Sequence, residues 1–248
     1  MYLQTKENDM RILTLALMAI TYFSPSLVAQ DNKEYEDLWV LYIDEDYEKL
    51  VKKAEGITEN DKTKKEPMPY LFMSMGYFEI SKKEDLAEDY PKAFKDAMKY
   101  AGKWRKKDKE GVFVYDNKDY IADLREAGME VAEGYLEDGS FSKAKGYYKY
   151  MTQFDPECPG SWLMYSYALK KMNDFSGTQE AWGYFEEKLG DISRLGSEQQ
   201  RLLKYGLITY SEDLYQEGKR TEARDLLKKG AEFYAEDNEF KIVMEDLN

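Results

Sequence analysis

Between Arg125 and Asp191 the chain repeats itself at an interval of 34 residues. Tyr135 coincides with Leu169, Gly139 with Asn173, Phe141 with Phe175, Ala144 with Thr178, Tyr148 with Trp182 and Met151 with Phe185. Each copy runs from a bulky residue through a turn former, a small residue and a second bulky residue to a breaker, Pro156 or Gly190. Apolar residues three and four apart on both sides of a turn former describe two antiparallel helices joined by a tight turn. One such hairpin cannot bury its apolar side alone, so the copies must stack.

Each landmark has a physical task in a hairpin. Gly139 and Gly218 allow the left-handed conformation that ends a first helix. A small residue, Ala144 or Ala223, lets a bulky side chain of the partner helix lie against the backbone. Pro156 stops a second helix because it lacks a donor and restricts the residue before it. The rings of Tyr135, Tyr148, Trp162 and Trp182 are expected between successive hairpins, each burying on the order of 150–250 Å². The order and period of these residues resemble the tetratricopeptide repeat. That resemblance implies an all-α, right-handed α-solenoid of about five hairpins between residues 31 and 237. Departures are Gly128, where a first-helix aromatic is expected, and Thr178, where alanine is expected.

The remaining hairpins are read by the same spacing. From Asn32 to Asn60, Tyr35, Leu38, Trp39, Tyr42 and Ile43 mark one helix. Asp44-Glu45-Asp46 makes the turn, and Tyr47, Leu50, Val51 and Ala54 mark a second helix expected to end at Gly56. A further hairpin runs from Pro69 to about Lys106, its second helix entered through Pro91. The last pairs Gln199–Glu217 with Thr221–Ala235. Its Leu214, Gly218, Ala223 and Leu227 repeat Tyr135, Gly139, Ala144 and Tyr148 at an offset of 79, which is two periods of 34 plus an insertion of 11. Asp237–Asn248 is expected to be a short capping helix. The organisation expected is a signal peptide at 1–29, degenerate hairpins at 30–107, a connector at 108–118 and further hairpins with a cap at 119–248.

The start of the chain reads as an export signal. Met10 and Arg11 open an apolar run from Ile12 to Phe23, and Leu27-Val28-Ala29 precedes a cut ahead of Gln30. Met10 reads as the initiator. The run is shorter than the roughly 20 apolar residues of a spanning helix. The other reading is an apolar first helix of the mature protein. The expected place is the periplasm of a Gram-negative bacterium, with no stable membrane insertion after cleavage.

Composition removes several functions. A net charge of −13 disfavours nucleic acid, whose phosphates need a basic surface. The cations from Lys103 to Lys109 read as a helix C-terminus, where positive charge meets the carbonyl end of the dipole, rather than as a docking patch. With no histidine, the commonest general base and metal ligand are missing. The single cysteine, Cys158, allows no intrachain disulfide and no thiolate zinc site. It reads as an inert small residue at a hairpin junction or as the source of an intermolecular bridge. No catalytic residue, cofactor or metal is expected.

In the family it resembles, ligands lie in a concave groove lined by the first helix of each hairpin. Projected onto this sequence, that face carries Tyr35, Trp39, Tyr42, Tyr70, Met73, Tyr77, Glu133, Tyr167, Tyr205 and Tyr215. The other reading of these rings is packing against neighbouring hairpins. Three functions are compatible: a non-enzymatic scaffold of the cell envelope holding partner protein segments, an obligate subunit of an envelope secretion or surface-assembly complex, and, ranked last, a hydrolase working through paired carboxylates. Intact mass of the exported protein tests the signal: the mature chain is expected to begin at Gln30, and one still carrying Ile12 overturns that reading.

Overall fold

The computed structural model describes residues 35–114 and 116–247. The expected signal segment, 1–29, lies outside them. The described residues form eleven α-helices and no strand. The chain divides into two units between Asp46 and Tyr47. Among its described residues the first unit holds α1 (Glu36–Ile43). The second holds α2 (Tyr47–Glu59), α3 (Met68–Ile80), α4 (Ala93–Lys107), α5 (Lys118–Glu137), α6 (Phe141–Phe154), α7 (Pro159–Lys171), α8 (Phe175–Lys188), α9 (Ser197–Gln216), α10 (Arg220–Lys228) and α11 (Asn238–Asp246). In that unit α3 pairs with α4, α5 with α6, α7 with α8 and α9 with α10, while α2 lies on α3. The fold is all-α, a tetratricopeptide-like series of antiparallel helix pairs.

The hairpin turns share one device. Gly139, Asn173 and Gly218, aligned by the repeat, have φ of 70°, 59° and 81°, and Glu45 has 58°. In each case the next residue's amide reaches back over the turn. Ser140 donates to the Tyr135 carbonyl (2.7 Å), Asp174 to Leu169 (3.1 Å), Lys219 to Leu214 (2.9 Å) and Asp46 to Leu41 (2.9 Å). These bonds satisfy carbonyls left over at the end of a helix. Ala144 and Ala223 are fully buried, as a close helix crossing requires.

Three boundaries differ from expectation. The helix α2 continues through Gly56 to Glu59, since that glycine does not adopt the left-handed conformation. Pro91 falls in the turn before α4, which opens at Ala93. The helix α10 stops at Lys228 and not Ala235, because Gly230 is pressed against α9. A methyl group there would lie 2.6 Å from Leu207 Cδ1. The amides of Lys229, Gly230 and Ala231 accordingly bond three residues back in a tightened turn.

Between pairs, α4 packs on α6, α6 on α7 and α7 on α9. The last contact is backbone against backbone: a Cβ on Gly160 would meet the Leu203 amide nitrogen at 2.6 Å and the Leu202 carbonyl carbon at 2.8 Å. Gly128, where an aromatic was expected, lies beneath the Met98 and Met151 methyls, which would stand 2.8 and 3.0 Å from its Cβ. The neighbouring helices fill that space instead. Farther along α7 an ionic clamp adds to the contact. Lys170 binds Asp213 (2.6 Å) and Glu217, and Lys171 binds the other Asp213 oxygen (2.6 Å). Hydrogen bonds from Lys170 and then Lys219 hold the Glu217 carboxyl down at about 2.

Two measurements check this packing. Gly160→Ala should destabilise the protein by about 2 kcal/mol or more, as overpacking against a rigid backbone does. Gly183→Ala, in mid-α8 with nothing within 4 Å of its Cβ, should stabilise it by about 0.5–1 kcal/mol. Equal shifts in urea midpoint would overturn the contact. For the clamp, the folded Glu217 value lies below the unfolded one. Its stabilisation is therefore complete above about pH 5 and lost as pH falls towards 2. Glu217→Gln should melt roughly 1–2 °C below the parent at pH 6 and together with it at pH 2.

Candidate partner-binding cleft

The expected groove residues divide between core and surface. In the first unit Trp39 meets Tyr42 edge-on (6.1 Å between centroids, 84°), both half-exposed, and Tyr35 is buried. In the second unit Tyr70, Met73 and Tyr167 are buried at 8%, 0% and 7% exposure, so these three serve as core and offer a ligand almost no surface. The Tyr70 hydroxyl donates to the Lys64 carbonyl (2.9 Å), and the Lys107 ammonium lies 4.5 Å from its ring centroid. Lys107 is the last residue of α4, and the basic cluster ends that helix as expected. Tyr77 is stacked on Tyr100 (5.6 Å, 7°), and burial pushes its phenol up to about 12.

Glu133, Tyr167 and Tyr205 are brought together around Tyr148. Burial raises the Glu133 carboxyl above its ordinary range. Burial first, then the charge of Glu133, pushes Tyr205 up to about 12. Tyr148, beside both, is fully buried and pushed well above 10, chiefly by that burial. They meet because α5 reaches α9 past the intervening hairpin: Glu126 pairs with Arg201 (3.0 Å) and Arg125 with Glu198 (3.9 Å). The first-helix side of α7 is thereby covered by its neighbours, and Tyr167 is packed on Tyr210 (5.2 Å). Tyr215 stays half-exposed beside the Arg220 guanidinium (5.3 Å).

The second helices behave differently. Helices α8 and α10 do not pack as a pair, although both lie on members of the tight α7–α9 contact. A cleft of about 500 Å³ opens between them over α9. Its floor is Tyr210, Leu214 and Leu226, all buried, and its wall is Trp182, edge-on to Tyr210 (5.8 Å, 89°). The rim is acidic: Glu222 and Asp225 on α10 and Glu186 on α8, the last bridged across the mouth by Lys229 (3.1 Å). Beyond Lys229 lies a second cleft of about 480 Å³, reaching Asp191, Ser193 and the exposed Phe233.

The sequence assigned Trp182 to inter-hairpin packing and left Glu222 and Asp225 unremarked. The available signal was Thr178, standing where its equivalents Ala144 and Ala223 are buried; it is half-exposed and lines the cleft. The arrangement combines an aromatic wall, an aliphatic floor and a charged rim, which suits an apolar anchor carried on a cationic segment. Among the described residues no group of three or more His, Cys, Asp or Glu is placed to hold a metal. No described helix is long and apolar enough to cross a membrane. Cys158 is fully buried and burial pushes its thiol up to about 11, which removes it from intermolecular bridging in the folded chain.

No family model matches the chain, and no curated protein does. Among solved structures it is similar to the TPR2AB domain of yeast Sti1 in its pHSP90 complex. Identity is 14% over 88% of this chain and 98% of that one, with a TM-score of 0.33.

Proposed function

We propose that the protein is a non-enzymatic binding module of the bacterial cell envelope, exported by the segment 1–29 to the periplasm, that holds a segment of a partner protein in the α8–α10 cleft. The observation that carries this reading is the unfilled space beside Trp182. An aromatic wall and a buried apolar floor stand open between two second helices, while Tyr167 on first helix α7 is buried. Exposed apolar concavities of this kind are where protein segments seat an anchoring side chain. The acidic rim adds direction, since Glu222 and Asp225 favour a partner whose anchor is flanked by Lys or Arg. The absence of histidine and the burial of the only thiol support binding over catalysis.

Photo-crosslinking in intact cells tests the reading. A crosslinking residue at Gln179, on the cleft wall, should give one discrete adduct. The same residue at Lys52, exposed on α2, should give none. The double charge reversal Glu222→Lys, Asp225→Lys should reduce the Gln179 adduct about tenfold or more, with the melting temperature held within roughly 2 °C. Adducts from Tyr77 with none from Gln179 would return binding to the first-helix face. A partner that co-purifies stoichiometrically through high salt and contacts neither position would favour an obligate assembly subunit.

A further inference from the structure

A second depression, of about 440 Å³, lies between the starts of α4 and α6, and its chemistry is opposite to that of the α8–α10 cleft. Lys92 and Lys95 reach it from the opening of α4, and Lys143 from the first turn of α6. All three are exposed, and among the described residues none has a carboxylate within ion-pair distance. The chain as a whole is acidic, with 49 acidic residues against 36 basic ones. Lys82, Lys99, Lys170, Lys188, Lys204 and Lys229 are each tied to an Asp or Glu. Three uncompensated ammoniums around one depression make a local positive field. Asp96, next to Lys95 on α4, is bound to Lys99 (3.6 Å), and acidic groups more than about 8 Å away are screened at physiological salt.

The wall behind the lysines is rigid. Tyr147 of α6 stacks on Phe94 of α4 (5.9 Å, 19°) and on Tyr135 of α5 (5.7 Å, 27°), so one ring column ties three helices together. Lys143 lies over the Tyr135 ring, 5.0 Å from its centroid, which holds that ammonium at the mouth. The Ser142 and Tyr150 hydroxyls complete the lining as uncharged hydrogen-bonding groups.

We propose that this lysine-rimmed pocket binds an acidic polypeptide segment through two or three side-chain carboxylates. The Tyr135 and Tyr147 rings are already committed to one another, to Phe94 and to Lys143, so the charge of the three lysines is the main recognition element. The lining holds no arginine, whose planar fork is the better match to a phosphate or sulfate. Separated point charges with hydroxyls between them suit carboxylates spaced along a chain, whose methylene stems lie against the Tyr135 and Tyr147 edges. The site stands independently of the α8–α10 cleft: it lies on other helices and attracts the opposite charge.

The test uses the full chain and a fluorescein-labelled hexaglutamate with an amidated C terminus, titrated by anisotropy at 25 and 150 mM NaCl. Binding is expected at low salt and should weaken several-fold at the higher salt. The triple variant Lys92→Gln, Lys95→Gln, Lys143→Gln should lower affinity about tenfold or more while melting within roughly 2 °C of the parent. Glu222→Gln with Asp225→Gln should leave affinity unchanged. No anisotropy change up to 1 mM peptide overturns the proposal, as does equal affinity in the triple variant. Lysine-dependent binding of dextran sulfate or pyrophosphate without binding of the peptide also overturns it.

Discussion

The backbone of α7 at Gly160 lies directly on the backbone of α9 at Leu202 and Leu203, with no room for a single methyl group between them. A contact this close fixes the distance between two hairpins more strictly than side chains could, because backbone atoms cannot move aside by changing rotamer. Its consequences run in two directions. On the first-helix side, α9 comes near enough to α5 for Arg201 to reach Glu126 and for Arg125 to approach Glu198, which covers α7. On the other side, α8 and α10 are held apart by the thickness of the helices they rest on. Drawing two hairpins together along one edge parts them along the opposite edge, and the cleft beside Trp182 is that parting.

A buried ionic node secures the same region. Arg125 is 5% exposed, and its guanidinium binds Asp155 at 2.6 Å. The second partner of Asp155 is the Gln199 side-chain amide, at 2.8 Å. These groups belong to α5, to the turn between α6 and α7, and to α9, so one carboxylate ties three chain segments. Burying a charge pair carries a desolvation cost that the attraction only partly repays, and such nodes contribute more to fixing relative position than to net stability. Here the position fixed is that of α9 against α5 and the α6–α7 turn. The node and the Gly160 contact thus act on one geometric variable, the approach of α9 to the hairpins before it.

How much of this was legible in the sequence depended on the range of the interaction. Turn geometry is local: the sequence placed left-handed glycines at 139 and 218 and aligned Asn173 with Gly139 as a turn former, and all three have positive φ because few residue types tolerate that conformation. Helix ends set by contact were not legible: α10 stops where Gly230 meets Leu207, a residue of another helix. The groove assignment divided in the same way. Periodicity marked Tyr70, Met73 and Tyr167 as lying on an apolar face, but whether such a face is open or covered depends on neighbours one or two hairpins away. In α3 every residue from Pro69 to Gly76 is buried, so no single side of that helix stands out at all. Thr178 was the exception, a departure from pattern that coincides with the cleft wall.

The two depressions on the second helices follow from whether adjacent second helices touch. Where α4 meets α6, the ring column Phe94–Tyr147–Tyr135 closes the junction, and the ligand-sized space is left at the helix starts, ringed by lysine. Where α8 faces α10, no such column forms. Trp182 turns its edge to Tyr210 on the floor and leaves the mouth open, ringed by acid. The aromatic residues of this chain therefore do two kinds of work with one chemistry. Tyr147, stacked on Phe94 of the preceding second helix, seals a junction, and Trp182, edge-on to Tyr210 of a first helix, leaves one open. The repeat supplies no second sealing ring, because the position 34 residues after Tyr147 is Ala181, while Trp182 is the equivalent of the buried Tyr148. Trp182 instead meets Tyr210 on a first helix, and the insertion between α8 and α9 separates that helix from α8.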